Sequence, residues 1–327
     1  MSPVTSCLLC FISSFLTCFL SLLWLIPRLR AMKMGQKILE IGPIWHAPKE
    51  GTPTMGGIVF LLSAFLTGSV FFLLSLQDAP RETRFVFVAS LLYCIANGAV
   101  GILDDLTKLR RAMNEGISPT QKLILQSVLA GAYLFVLKTG NFLTSALYIP
   151  LLGEIRLGMI SYFILLVYLV GITNCANLTD GIDGLAAGVG SVIFLFMMLS
   201  SLLRSFVAPA MISALLLGCT LSFLFFNRHP ARIFMGDTGS LFVGSAVAVV
   251  PILLNSPLLG IIFGIIYVLE GVSVILQVLF YKKTKRRLFL MAPIHHHFER
   301  CGWSENKIVL VFSAVTAIAC AAGLYLS

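Results

Sequence analysis

The segment VTSCLLCFISSFLTCFLSLLWLI, residues 4–26, contains no charged side chain. Over the whole chain of 327 residues only 11% are Asp, Glu, Lys or Arg, and the mean hydropathy is +0.97. Soluble domains carry about 25% charged residues, so this chain has too little polar surface to be covered by water. The composition therefore predicts an integral membrane protein.

Nine further charge-poor segments follow the first. Most approach the ~20 residues that an α-helix needs to cross a ~30 Å hydrocarbon core, whereas a transmembrane β-barrel would show alternating segments of ~10 residues. We therefore predict an all-α integral membrane protein, a single polytopic domain over residues 1–327 with about ten transmembrane helices. The predicted spans are residues 4–26, 55–77, 85–103, 121–137, 157–173, 184–203, 205–226, 238–254, 257–281 and 308–326.

The basic residues predict the orientation of these helices. Residues 1–27 contain no Lys or Arg, and Arg28, Arg30, Lys33 and Lys37 come directly after the first span. By the positive-inside rule this segment lies in the cytoplasm, and ten crossings then place both termini on the outer side. The cytoplasmic loops hold 18 of the 23 Lys and Arg residues and lie at about residues 28–54, 104–122, 174–183, 227–237 and 282–307.

An acidic pair follows the third predicted span in the sequence GILDDLTKLRR, residues 101–111. Asp104 and Asp105 are predicted to end the third helix, where the negative end of the helix dipole disfavours carboxylates. They therefore need a compensating cation, and Lys108 is one candidate. The alternative to such a structural ion pair is a catalytic base, a metal ligand or a phosphate site.

A second acidic stretch reads NLTDGIDGLA, residues 177–186. If the sixth helix begins near Asp180, then Asp180 and Asp183 lie on one helix face. Acids in a first helical turn are favoured by the dipole, so capping is the structural alternative. One capping residue suffices for a helix, however, and Asn177 adds a further polar side chain to this short stretch.

A third acidic position lies in the glycine-flanked turn GDTGS, residues 236–240, before the eighth predicted helix. Glycines let backbone N–H groups approach an anion, and a helix N-terminus favours phosphate. Asp237 in this turn follows Asn227, Arg228 and His229, which together favour a site for a phosphorylated ligand with a metal.

Histidines and one intramembrane acid complete the candidate residues. Consecutive His295, His296 and His297 cannot all face one metal from a regular helix, so zinc is not expected, and donors to phosphate or sugar are favoured. Glu270 lies inside the ninth span, either lining a groove for a lipid or hydrogen-bonded to a neighbouring helix. In the same span, Gly260-x-x-x-Gly264 predicts close helix packing.

Under the ten-helix topology these clusters emerge on one face, together with the loop HAPKEGTPTMGG, residues 46–57, which carries Lys49. Several carboxylates, basic residues and glycine turns in one place favour Mg²⁺-assisted phosphoryl transfer, with a lipid as one partner. A nucleotide-sugar or anion transporter is the rival from another class. Transporters place charged residues at the bilayer midplane, often within internal repeats, and this sequence shows no such repeat.

Five motifs carry a resemblance to a known family: GTPTMGG, the Asp104–Asp105 pair, NLTDGIDGLA, FMGDTGS and MAPIHHHFE. In this order, over about residues 30–305, the chain resembles the bacterial phospho-N-acetylmuramoyl-pentapeptide transferases. These belong to the polyprenyl-phosphate N-acetylhexosamine-1-phosphate transferase superfamily. The histidine segment favours this branch over the sister enzymes that transfer N-acetylglucosamine-1-phosphate from UDP-N-acetylglucosamine, which remain the nearest alternative.

The resemblance implies a reaction and its partners. UDP-N-acetylmuramoyl-pentapeptide and undecaprenyl phosphate give lipid I and UMP, with Mg²⁺ required, in the bacterial cytoplasmic (inner) membrane. Two anions meeting on one metal favour direct attack over a covalent phospho-enzyme. We expect membrane lipids and no nucleic acid as partners, and the sequence leaves the oligomeric state open, a homodimer included.

The resemblance also implies roles for individual residues. Asp237 would hold Mg²⁺, and Asp104 would act as a base or orienting group beside Asp105. Phe234 would stack on uracil. The implied catalytic residues are Asp104, Asp105, Asp237, His295 and His296. The implied substrate-binding residues are Lys49, Lys122, Asn177, Asp180, Asp183, Asn227, Phe234 and His297.

Overall fold

The computed structural model describes residues 1–32, 49–111, 116–143, 145–149 and 153–326. Lys33 and Lys37, which support the predicted orientation, lie outside the described residues. Ten helices of this described part are long and apolar enough to cross a membrane, as predicted. They are α1 (Pro3–Ala31), α2 (Ile58–Ser75), α3 (Arg81–Arg111), α4 (Pro119–Thr139), α5 (Ile160–Thr179), α6 (Leu185–Leu203), α7 (Val207–Asn227), α8 (Gly236–Leu253), α10 (Ile265–Thr284) and α12 (Glu305–Leu326).

Four shorter elements complete the described part of the chain, and three of them, two strands and the helix at residues 294–300, were not predicted. The strands β1 (Ala146–Ile149) and β2 (Gly153–Arg156) form an antiparallel pair between α4 and α5. Helix α11 covers Ile294–Arg300, and helix α9 covers Pro257–Phe263. The predicted all-α class is therefore correct for the membrane-spanning part, and a small hairpin is added to it.

The ninth predicted span is divided at Gly264, which separates α9 from α10. A Cβ atom on Gly260 would lie only 1.8 Å from Oη of Tyr168 on α5 and 2.8 Å from Cγ of Pro251 on α8, so α9 packs closely against both helices at this position. The packing interpretation of the two glycines is thereby confirmed for Gly260. The predicted boundary between the sixth and seventh spans is also confirmed, because Ser205 adopts a left-handed conformation (φ 59°) there.

Helices α6, α7 and α8 form the centre of the bundle. Helix α7 packs against α1 and α6, and α8 packs against α3 and α5. The side chains of α7 and α8 are almost all buried, whereas α1, α4, α10 and α12 keep many large apolar side chains exposed for lipid contact. Asp237, in the first turn of α8, therefore belongs to one of the two most buried helices of the bundle.

Two predicted helix ends are wrong. Helix α3 continues to Arg111, so Asp104 and Asp105 lie inside it rather than at its end. Helix α5 ends at Thr179 with Asp180 as its C-cap, and α6 starts only at Leu185. The left-handed Gly184 (φ 80°) makes this later start possible. Asp180 and Asp183 thus lie in a turn between two helices, and the interpretation of them as acids in a first helical turn is incorrect.

Candidate active site

Asp237 lies where four helices meet. Its Oδ2 is 2.6 Å from Nζ of Lys122 on α4 and 3.0 Å from Nζ of Lys108 on α3, while Nδ2 of Asn177 on α5 donates to its Oδ1 at 2.8 Å. Lys108 also lies 2.7 Å from Oδ2 of Asp104, one turn earlier on α3. We call this group the Asp237 cluster, with the members Asp104, Asp105, Lys108, Lys122, Asn177 and Asp237.

The two adjacent aspartates of α3 have different surroundings. Asp105 accepts hydrogen bonds from the backbone N–H groups of Asp237 (3.1 Å) and Thr238 (2.9 Å) and from the Thr238 hydroxyl (2.7 Å). It therefore satisfies the free donors at the start of α8, as a capping residue does, but from another helix. Asp104 instead accepts from the backbone N–H of Ile117 (3.0 Å) and faces Lys108. Asp105 fixes the start of α8, and Asp104 remains the member of the pair that is turned to the lysines.

The glycines of GTPTMGG and GDTGS bring two loops into direct backbone contact. The N–H groups of Gly56 and Gly57 donate to the carbonyls of Phe234 and Met235, each at 2.9 Å. A Cβ atom on Gly57 would lie 2.1 Å from Cα of Gly239, so neither loop tolerates a side chain here. Two motifs that look like separate flexible turns in the sequence therefore form one packed unit beside Asp237.

A second group of charges surrounds Lys49. Its Nζ lies 2.7 Å from Oδ1 of Asp183 and 2.7 Å from Oε2 of Glu305. Nδ1 of His229 lies 3.0 Å from the other oxygen of Asp183. We call these four residues the Lys49 cluster. Glu305 was not predicted from the sequence, because an acid in the first turn of α12 looks like an ordinary helix-start residue.

Asp180 lies between the two clusters. Burial, together with the negative charges of Asp237, Asp105 and Asp183, raises the pKa of Asp180 to about 8. The carboxyl is therefore mostly protonated at neutral pH in the protein without ligands. Any cation that binds beside it favours the ionised form and releases a proton.

This raised pKa predicts how Asp180→Asn changes stability with pH. Between the ordinary carboxyl pKa of 3.8 and the raised pKa of about 8, the folded protein holds a proton that the unfolded chain has lost. Folded wild type is therefore destabilised as pH rises, by at most about 1.4 kcal/mol per pH unit, and the loss levels off above pH 8. The Asn variant lacks this titration. We expect the melting temperature of Asp180→Asn, relative to that of wild type, to rise between pH 5 and 8. A difference in melting temperature that stays constant with pH would contradict the raised pKa of Asp180.

Asn227 and Phe234, both predicted to bind substrate, are placed by backbone contacts. Asn227 is buried; its Oδ1 accepts from the N–H of Gly184 and its Nδ2 donates to the carbonyl of Ile233, each at 2.9 Å. It thus joins the start of α6 to the loop before α8. Phe234 is held by its own N–H, which donates to the carbonyl of Pro53 at 2.8 Å, and its ring keeps partial solvent exposure.

The three histidines face three different partners. His295 is fully buried, with Nδ1 3.0 Å from Oε2 of Glu270, so Glu270 is hydrogen-bonded to a neighbouring helix as one of its two interpretations predicted. His296 pairs with Glu299, and Nδ1 of His297 accepts from the backbone N–H of Leu290. Of the trio, His295 contacts the acidic turn, since a Cβ on Gly181 would lie 2.3 Å from its Nε2.

The described contacts bring most predicted site residues to one end of the bundle. The ends of α3 and α5, the starts of α4, α8 and α12 and the loops before α2, before α6 and after α7 all contribute to the two clusters. This is the arrangement that alternating crossings produce, with every second connection on the same face. Lys49 thereby contacts Asp183, and Lys122 and Asn177 contact Asp237. Asp180 interacts electrostatically with aspartates of both groups.

Among the residues that the structure describes, two groups of side chains have the spacing of a metal site: Asp104, Asp105 and Asp237, and Asp183, His229 and Glu305. Within each, one ligand atom per residue lies within 4.8 Å of the others. The first group offers only carboxylate oxygens, which Mg²⁺ prefers. The second group includes a histidine nitrogen among its donors. In both groups a lysine ammonium lies between two of the carboxylates, Lys108 in the first and Lys49 in the second, so only the donor type separates them. The first group therefore fits a hard divalent cation better.

Comparison with known proteins places the chain in a family. Residues 86–255 match the model of glycosyl transferase family 4, and residues 49–61 match signature 1 of the phospho-N-acetylmuramoyl-pentapeptide-transferases. Phospho-N-acetylmuramoyl-pentapeptide-transferases from Clostridium perfringens (strain SM101) and Clostridium kluyveri (strain ATCC 8527) are each 42% identical to this chain. The alignments cover 90% and 91% of this chain and 89% and 92% of those proteins. The chain belongs to the phospho-N-acetylmuramoyl-pentapeptide-transferase family.

Proposed function

We propose that this protein transfers phospho-N-acetylmuramoyl-pentapeptide from its UDP-linked form to undecaprenyl phosphate, giving lipid I and UMP. Membership of the family supports the reaction type. The observation that carries the proposal is the Asp237 cluster, in which two lysines and three aspartates meet at one end of a ten-helix membrane bundle. Such a site lies within reach of both a lipid phosphate and a water-soluble nucleotide.

The reaction brings two anions together. An oxygen of the lipid phosphate attacks the β-phosphorus of the nucleotide diphosphate, the bond from that phosphorus to the bridging oxygen breaks, and UMP leaves with the electron pair. Lys108 and Lys122 offer the positive charge that this approach needs, because preorganised cations stabilise charge that develops in the transition state. Asp104 orients Lys108 through their 2.7 Å contact. Asp237 holds both lysines at the centre.

The residues that would hold Mg²⁺ are Asp237 and Asp104, since Asp105 is occupied by three hydrogen bonds from the start of α8. When bound, the ion neutralises diphosphate charge and polarises the phosphoryl oxygens. The carboxylate oxygens of these two residues would be its ligands. Nδ2 of Asn177 donates to both Asp237 and Ser240, which keeps the Asp237 side chain in place.

The Lys49 cluster, Asp180 and Phe234 would bind the nucleotide end of the donor. Stacking of uracil on Phe234 would contribute about 1–3 kcal/mol, as base stacking on aromatic side chains does. We place this end of the bundle in the cytoplasm and both termini outside, since the loops on the proposed inner side hold 18 of the 23 basic residues. The proposed location is the cytoplasmic membrane of a bacterium.

The decisive experiment measures UMP release by the purified protein with Mg²⁺ and undecaprenyl phosphate. We expect release with UDP-N-acetylmuramoyl-pentapeptide, and at least about 100-fold less with UDP-N-acetylglucosamine, because the site then lacks the binding energy of the absent donor groups. The same assay without lipid phosphate is the control. Faster release with UDP-N-acetylglucosamine would assign the chain to the sister activity, and no release with either donor would overturn the proposal.

A further inference from the structure

Glu305 joins three segments that are far apart in the sequence. Its Oε2 lies 2.7 Å from Nζ of Lys49 and accepts from the backbone N–H of Asp183 at 2.8 Å, and its Oε1 lies 3.5 Å from Nδ1 of His229. It is the first residue of α12, the last membrane-spanning helix. Through this one carboxylate, α12 is connected to the loop before α2, to the turn after α5 and to the loop before α8.

Three of the four side chains in this cluster are largely shielded from water, and His229 is the exposed one, at 44%. The side chains of Lys49, Asp183 and Glu305 are 15%, 2% and 11% exposed. The Oδ2 atom of Asp183 is occupied by His229 and by the N–H of Ala231, which leaves Oδ1 for Lys49. Because removal of one partner from such a group leaves another charge buried and unpaired, each member fixes the position of the others.

We propose that Glu305 is a positioning residue for the nucleotide end of the active site. It holds the Lys49 ammonium beside the turn between α5 and α6, and it fixes that turn by accepting a hydrogen bond from the Asp183 N–H. This inference rests on the proposed function, which places the nucleotide at Lys49 and Asp183. Glu305 acts on the donor through these two residues.

The position of Glu305 predicts a selective effect on one of the two substrates. Its contacts reach Lys49, Asp183 and His229, and within the described residues they do not extend to Lys108, Lys122 or Asp237. Loss of its charge should therefore weaken binding of the nucleotide donor. Binding of the lipid phosphate and the rate of the chemical step should change little.

The test compares Glu305→Gln with Glu50→Gln in full-length protein. Gln at position 305 keeps an acceptor for the Asp183 N–H and removes the charge beside Lys49, while Glu50 is an exposed neighbour of Lys49 and loses the same charge. For Glu305→Gln we expect the KM for the UDP-linked donor to rise roughly tenfold, as loss of a charged hydrogen bond implies. The kcat and the KM for undecaprenyl phosphate should stay within about twofold. Glu50→Gln should match wild type in all three constants.

Two outcomes would overturn the proposal. A Glu305→Gln variant with a reduced kcat and both KM values unchanged would show a smaller folded fraction, and hence a structural role only. Additive effects on donor KM in a double-mutant cycle of Glu305→Gln with Lys49→Met would show that the two side chains act independently. Glu305→Asp, which keeps the charge, should recover part of the donor affinity; no recovery would also count against the proposal.

Failure of the proposed function would show differently. If wild type releases no UMP, the reaction assignment is wrong, and titration of wild type and Glu305→Gln with UMP by calorimetry still measures the effect of Glu305 on nucleotide binding. Equal affinities in that titration would overturn the positioning role by itself. Normal UMP release by both proteins, with equal donor KM, would leave the proposed function intact and remove only the role of Glu305.

Discussion

The Asp237→Asn variant is expected to lose turnover at every Mg²⁺ concentration, by about 10²–10³-fold or more, while it still folds and enters the membrane. Asp237 lies within 3.0 Å of both lysines of the cluster, 2.6 Å from Lys122 and 3.0 Å from Lys108, whereas Asp104 lies 2.7 Å from Lys108 and 4.0 Å from Lys122. An amide of the same size keeps the contact with Asn177 but removes the negative charge that holds the lysines and that would ligate the metal. UMP release measured over a range of Mg²⁺ concentrations checks this expectation.

Asp78→Asn is the matched control, because it makes the same chemical change at an exposed residue in the connection between α2 and α3. This variant should keep wild-type turnover and wild-type dependence on Mg²⁺. Near-normal activity of Asp237→Asn, or its full recovery at high Mg²⁺, would show that the centre of the site lies elsewhere.

Gly101→Ala should have the second-largest effect, with turnover reduced roughly 100-fold and a melting temperature lowered by several degrees. A Cβ atom on Gly101 would lie 2.3 Å from the carbonyl oxygen of Asp237 and 2.5 Å from Cα of Thr238. These are backbone atoms and cannot rotate away, so α3 and the start of α8 must separate. The hydrogen bonds from the start of α8 to Asp105 would then lengthen, and Asp237 would move.

Gly98→Ala provides the control for this prediction on the same helix. Its added Cβ would meet Cδ1 of Leu61 at 2.7 Å, which is the end of a flexible side chain that can move aside at little cost. We expect activity close to wild type and a small change in melting temperature. Similar effects of the two substitutions, measured by UMP release and thermal unfolding, would mean that the close approach of α3 to α8 is unimportant for the site.

The membrane-spanning helices could be predicted from sequence because a long apolar segment is a local property. Ten charge-poor segments correspond to ten long helices, and even the weak boundary at Arg204 was placed correctly. Helix ends were harder to place. Helix α3 continues past Asp104 and Asp105 because Lys108 and the start of α8 compensate these acids, and such compensation depends on contacts between distant segments.

The candidate site was predicted in composition but not in arrangement. In sequence, Asp104 and Asp105 look equivalent, yet one faces a lysine and the other caps a distant helix. Glu305 carries no local signal that separates it from an ordinary acid at a helix start. The contact of His295 with Glu270 joins residues 25 positions apart, and the sequence left it as one of two interpretations of Glu270. Each difference arises from tertiary packing, which residue type and spacing along the chain do not contain.

Two main-chain hydrogen bonds, from Gly56 and Gly57, join the loop that follows Lys49 to the residues just before α8. The proposed contacts to the base and to the diphosphate of a nucleotide sugar therefore lie on two backbone segments that are hydrogen-bonded to each other. We expect the distance between these two contacts to stay nearly constant when the donor binds.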